Sequence, residues 1–251
     1  MGRFFNLESA LVLLGCVVVA VAASWAMGLT PLLALGLGVL GALLAFFPVA
    51  AFVQDKLIEI YAGRGQIDRA LQLAMVIRES APNTRMRNRA YVDVALLHLL
   101  RRDHAHALEN LEKVKLSLVD SGPARAVVEA HLAYCLAHLQ RDLERAEEHA
   151  RNAVKAVPKE PMFSYFLGLT LLQRGQAAEA EPLIARSLAE NPDANEPFAG
   201  ERAWALARAQ LQQGRSPEPA RSQAVAAGGH FAEEAQKLGA SGPAVGSAPG
   251  P

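Results

Sequence analysis

The chain has 251 residues, 51% hydrophobic and 20% charged, with 25 Lys and Arg set against 25 Asp and Glu. A neutral chain lacks the basic excess with which proteins neutralise phosphate backbones, which argues against a nucleic-acid binder. Two cysteines, Cys16 and Cys135, give no disulfide framework and fit a reduced compartment, and abundant alanine with Arg well ahead of Lys hints at a high-GC bacterial genome.

From Ser9 to Val53 there is no Asp, Glu, Lys, Arg or His. About 20 apolar helical residues cross a bilayer core, so this run is long enough for two crossings. Gly28-Leu29-Thr30-Pro31 breaks it, because glycine and proline turn the chain and Thr30 can cap the next helix. The pattern predicts helices over 9–27 and 32–52 and a membrane anchor over residues 1–53. Arg3 precedes the first helix, Lys56, Arg64 and Arg69 follow the second, and the connection carries no cation. The positive-inside rule then places the N-terminus and the rest of the chain in the cytoplasm, as a multi-pass protein of the inner (cytoplasmic) membrane. Ala20-Val21-Ala22 has the form of a signal-peptidase site, whose use would remove the first helix and leave the remainder cytoplasmic. Leu13-Leu14-Gly15-Cys16 looks like a lipoprotein box, but Val17, Val18 and Val19 continue the apolar run where a processed lipoprotein turns polar. In the second helix Ala34, Gly38 and Ala42 form a stripe of small residues four apart. Such a stripe suits packing against the first helix, which offers Ala22 and Ala26, or dimerisation and docking on another membrane protein.

Beyond the anchor one frame recurs. Leu57-Ile58, Tyr61, Gly65, Ala70, Ala74 and Pro82 carry its first copy. Ala95, His98, Ala107 and Leu111 carry a weaker second copy, with Val119 in place of proline. Tyr134, Ala137, Ala146, Ala150 and Pro158 carry the third, and Leu167-Gly168, Leu171, Gly175, Ala180, Ile184 and Pro192 the fourth. Ala70, Ala107, Ala146 and Ala180 lie 37, 39 and 34 residues apart, and in three copies a proline follows the alanine by 12. A fifth unit has Leu206, Ala207, Gly214 and Ala220 in frame, but Pro217 and Pro219 crowd its second helix, so it is a distorted repeat or a cap. Residues 239–251, all Gly, Ala, Ser, Pro and Val, are expected to be disordered. A period near 34 residues is the mark of stacked supersecondary units.

This spacing resembles the tetratricopeptide repeat (TPR), and each position has a physical reason. Gly168 is small where a paired helix approaches, Gly175 ends the first helix in a left-handed turn, Ala180 is small at the helix crossing, and Ile184 fills the core. The resemblance implies an all-α chain: a transmembrane helical hairpin, then a right-handed α-solenoid over 54–238. Its four to five repeats fall near 51–84, 88–121, 127–160, 161–194 and 200–238. In TPR proteins the first helix of each repeat lines a concave partner-binding surface. Carried over in frame, that surface comprises Val92, Leu96 and Leu99, then His131, Cys135 and His138, then Tyr165, Leu169 and Leu172, and then Trp204, Arg208 and Leu211. Asp55 and Glu59 occupy these positions in the first unit. An apolar, aromatic stripe of this kind binds a peptide or helical segment unless the C-terminal tail or last helix covers it. The TPR clamp for a terminal carboxylate is not expected, because its places hold Val92, Leu96, His131 and Cys135.

No phosphate-binding glycine loop, nucleophile elbow or Cys-x-x-Cys pair is present. His104 and His106 are two apart, and His98, His131, His138 and His149 are scattered over two repeats, a poor start for three or four converging ligands. The expectation is therefore a non-enzyme without cofactor or metal: a membrane-anchored scaffold or adaptor that binds a protein partner in its groove. The alternative is an envelope-assembly or chaperone-like factor whose membrane helices contact a membrane client.

Overall fold

The computed structural model describes residues 56–119, 122–191 and 198–240, with the isolated positions 15, 18, 19 and 22. The described residues hold helices and turns and no strand. The expected anchor spans and residues 241–251 of the expected tail fall outside them, except that Gly15, Val18, Val19 and Ala22 are helical and exposed; the tail's first two residues, Gly239 and Ala240, are helical where disorder was expected. No helix of the described residues is long and apolar enough to cross a membrane.

The chain divides into two compact units, Met1–Glu79 and Ser80–Pro251. The first unit closes at the end of a helix, just before Pro82 interrupts the helical hydrogen bonding, and takes in most of the first expected repeat, 51–84. In that unit, helical residues 56–63 run to a turn at Gly65, whose φ is +71°, and α1 (Ile67–Ser80) follows with Ala70, Leu71 and Ala74 buried along one face.

The second unit is a succession of helix pairs: α2 (Thr84–Leu100) with α3 (His104–Glu112), α4 (Pro123–His138) with α5 (Leu143–Ala156), α6 (Pro161–Gln173) with α7 (Ala177–Glu190), and α8 (Ala199–Gln212) with the short α9 (Ala220–Ala227). A last helix, α10 (Gly229–Ala240), packs on α8 and α9. Local chemistry sets the helix starts. Asn83, Asp103 and Asp142 each accept a hydrogen bond from the backbone N–H three residues on, and Pro123 and Pro161 occupy first-turn positions where no N–H is needed. The frame alanines Ala107, Ala146 and Ala180 are fully buried at the helix crossings, and so is Ala220 apart from 3%. Gly168 is where α6 and α7 come closest: a Cβ there would lie 2.6 Å from Ile184 Cγ1 and 3.1 Å from the Ala180 carbonyl oxygen.

The core centres on α6, which contacts α4, α5, α7 and α8 and buries every residue from Phe163 to Leu172. Ion pairs join successive pairs on the outside: Arg145 reaches Glu112, Arg174 reaches Glu147 and Arg215 reaches Glu181. In the fifth unit α9 has only 8 residues and starts after Pro219. The separate helix α10 was not foreseen.

Candidate functional site

Three first helices of successive pairs, α4, α6 and α8, turn toward one another and meet at Glu201. Tyr134 and His138 stand four apart on α4, one turn, so both reach the same point. Tyr165 comes from α6 and Glu201 from the first turn of α8. The Tyr165 hydroxyl donates to Glu201 Oε1 at 2.6 Å, the Tyr134 hydroxyl lies 3.0 and 2.9 Å from the two carboxylate oxygens, and His138 Nε2 is 2.8 Å from Oε1. Burial works to raise the Glu201 pKa, but the bonds from His138, Tyr165 and Tyr134 outweigh it and hold the carboxyl below its ordinary range. Burial, reinforced by that carboxylate, pushes both tyrosine hydroxyls well above 10. His104 stacks on His138 with ring centroids 4.1 Å apart, and burial and the neighbouring imidazole lower its pKa to about 4.

The two buried tyrosines and the carboxylate are each other's hydrogen-bond partners, which is the arrangement that fixes one packing of three helices. Arg202, the next residue, is also buried and bonds the Ser187 and Asn191 carbonyls at the end of α7, so α8 is tied to the preceding pair as well. Glu201 and Arg202 were not singled out from the sequence. The available signal was that Glu201, Trp204 and Arg208 share one helix face.

This arrangement corrects the expected open stripe. Tyr165, Leu169 and Cys135 are fully buried, Leu172 is 1% exposed and Leu99 8%, so these five belong to the core. For Cys135, Tyr165, Leu169 and Leu172 the physical reason is that α4, α6 and α8 approach closely enough to bury their facing side chains in one another; Leu99 of α2 joins the same apolar core. Burial also pushes the Cys135 thiol up to about 12. His131 is half-buried, with Nδ1 2.7 Å from the Val127 carbonyl oxygen, and burial lowers its pKa against that bond. Trp204 is half-buried beneath Phe231 of α10, with centroids 5.0 Å apart, and the Arg208 guanidinium lies 4.7 Å from its ring centre. The Arg102 guanidinium lies 4.1 Å from the centre of the Phe231 ring. At this end the last helix covers the stripe.

Val92 and Leu96 keep partial exposure. Val92 lines a cleft of about 470 Å³ between α2 and α4 with Met86, Val127, Val128, Leu118 and Val119, and with Arg85, Arg89 and Asp93 among its polar members. Met86 and Leu118 are 41% and 48% exposed. The wall containing Leu118 is a loop held from a distance: the buried Asn88 amide donates to the Lys115 carbonyl at 3.1 Å and accepts from the Lys115 N–H at 3.2 Å. Outside the cleft, Glu147 pairs with both Arg151 and Arg174. The histidines are less scattered than their numbering suggests. The turn between α2 and α3 brings His98 and His106 to a stacked 5.2 Å beside Asp103, a group able to hold a metal ion.

No family model matches the sequence, and no curated protein matches it. Solved structures do. The chain is similar to a protein of Podosopora anserina described as a kinesin light chain with nearly identical TPR-like repeats (20% identity, 77% of this chain and 96% of that one, TM-score 0.50). A point variant of that protein matches at 19% identity with the same coverage and TM-score. A thermophilic TPR protein of Thermus thermophilus matches at 21% identity over 74% of this chain and 90% of that one, with a TM-score of 0.49. At these identities the likeness to the Podosopora anserina structures shows the fold alone: an all-α stack of TPR-like helix pairs.

Proposed function

We propose that this chain, built on a TPR-like fold, is a membrane-anchored protein-interaction scaffold without catalytic activity, and that it takes a partner's apolar helical or peptide segment in the cleft between α2 and α4. The observation that carries this reading is the contrast between the two halves of the expected groove. From α6 onward the stripe is consumed by the Glu201 cluster and by α10, whereas Val92, Met86 and Leu118 stay open around a cleft of about 470 Å³. Exposed large apolar side chains around a concavity are the usual mark of a binding surface, and methionine adapts to varied ligand shapes. The buried Glu201 cluster has the opposite character, with its donors committed to holding helices.

Anchoring rests on the uncharged run from Ser9 to Val53 and on the flanking cations, which favour a cytoplasmic repeat region. Tethering to a membrane raises the local concentration of cleft and partner, so modest affinity suffices.

The test is a photoreactive residue at Val92 in intact cells. The reading expects one dominant cytoplasmic partner, with capture lost on Met86→Glu. Capture of nothing, or of the chain itself alone, would sink the cleft. Release of the chain from membranes by alkaline carbonate would separately sink the anchor.

A further inference from the structure

We propose that His98, Asp103 and His106 form a three-ligand site for a borderline divalent transition-metal ion, Zn²⁺ being the best match. The three residues come from different parts of one turn: His98 from the last turn of α2, Asp103 from the connection, and His106 from the first turn of α3. The backbone closes that turn through the Asp103 N–H, which donates to the His98 carbonyl at 2.9 Å. One ligand atom from each side chain lies within 4.8 Å of the others. Asp103 Oδ2 is 2.7 Å from His106 Nδ1 and 3.4 Å from His98 Nδ1. Ligands about 2.0–2.1 Å from a tetrahedral ion stand roughly 3.4 Å apart, so the His98–Asp103 pair already has that separation and His106 needs only a small outward rotation.

Two further observations point to an ion. His98 Nδ1 is buried and makes no aligned hydrogen bond, although its side chain is only 12% exposed. The polar atom near it is Asp103 Oδ2 at 3.4 Å, outside good hydrogen-bond geometry, so this buried ring nitrogen is poorly satisfied and a metal bond would satisfy it. The two oxygens of Asp103 also divide their work: Oδ1 accepts from the His106 N–H as the cap of α3, and Oδ2 faces the two imidazole Nδ1 atoms, whose contacts to it an ion between the three would replace. The side chain of His106 is 62% exposed, so an ion can enter from solvent, and the fourth position falls to water or to a ligand from another molecule. Two imidazoles and one carboxylate select Zn²⁺, Ni²⁺ or Cu²⁺ over Mg²⁺ and Ca²⁺, which prefer all-oxygen sets.

The experiment is a calorimetric titration of the full chain with Zn²⁺ at neutral pH, paralleled by Co²⁺ with its visible absorption as a reporter of coordination. One equivalent is expected to bind. His98→Ala and His106→Ala should each weaken it by at least about tenfold, a loss already typical of removing an outer partner of a metal site. Asp103→Asn separates the ligand from the cap, because asparagine caps helices as well as aspartate does. It should keep the melting temperature of the metal-free chain and still weaken Zn²⁺, whereas His230→Ala should change nothing. Absence of a saturable equivalent, or binding unmoved when His98 and His106 are both replaced, would overturn the site.

Discussion

At the scale of single residues the frame is a set of steric requirements. Gly168 leaves no room for a methyl group, since a Cβ would stand 2.6 Å from Ile184 Cγ1 and 3.3 Å from Leu183 Cβ. Gly168→Ala gains about 1 kcal/mol of helix propensity. It also forces overpacking that typically costs about 1–3 kcal/mol, so a net loss is expected in urea denaturation. The left-handed turn after each first helix obeys the opposite logic. Gly175 holds it at φ +79°, but Gln140 holds the corresponding turn at +50° with a side chain. A non-glycine residue there carries roughly 1–2 kcal/mol of strain. Gln140→Gly, at an exposed position, should therefore raise the melting temperature even after the extra entropy of the unfolded chain is counted.

Among the elements, the loop after α3 and the start of α8 depend most on distant partners. Asn88 bonds both backbone groups of Lys115, 27 residues away, and so sets one wall of the cleft. Asn88→Ala leaves those groups without their buried partner, which costs about 1–3 kcal/mol. Amide exchange at Leu116–Val119 should accelerate while α6 stays protected. Unchanged exchange in that loop would show that Asn88 does not hold it. The helix pairs themselves needed no such help to be read, because small residues and apolar spacing lie within one repeat.

For the second unit as a whole, acid is the condition that should loosen it first. The lowered pKa of His104, about 4, means that the folded state holds this imidazole neutral while the unfolded chain protonates it near its ordinary value of 6.5. Its contribution is therefore complete above about pH 6.5 and is lost as the pH falls toward 4. His98, His131 and His149 are lowered as well, and their stability runs in the same direction. Glu201, also lowered, adds a second loss at more acid pH, as its carboxylate takes up a proton and its three bonds weaken. Denaturant midpoints measured from pH 7.5 to 4 should drop steadily. His104→Asn should flatten the upper part of that slope and Glu201→Gln the lower part. A flat profile for the unaltered chain would contradict this account.

The sequence by itself determined what short-range chemistry controls. The helix-pair repeats, the buried alanines and the close approach at Gly168 follow from residues within about 34 positions of one another, because a repeat packs mainly on itself and its neighbours. The uncharged run and its flanking cations are equally local properties. Tertiary structure alone decided which part of the groove stays open. Whether Tyr165 faces solvent or a carboxylate depends on how tightly α4, α6 and α8 close, and Glu201 shows its role only once Tyr134, 67 residues earlier, lies beside it. The same holds for Phe231 of α10, in contact with Trp204 and Arg102, and for the meeting of His98 with His106 across a turn. These contacts join segments whose spacing carries no periodic signal, so only the folded chain brings them into register.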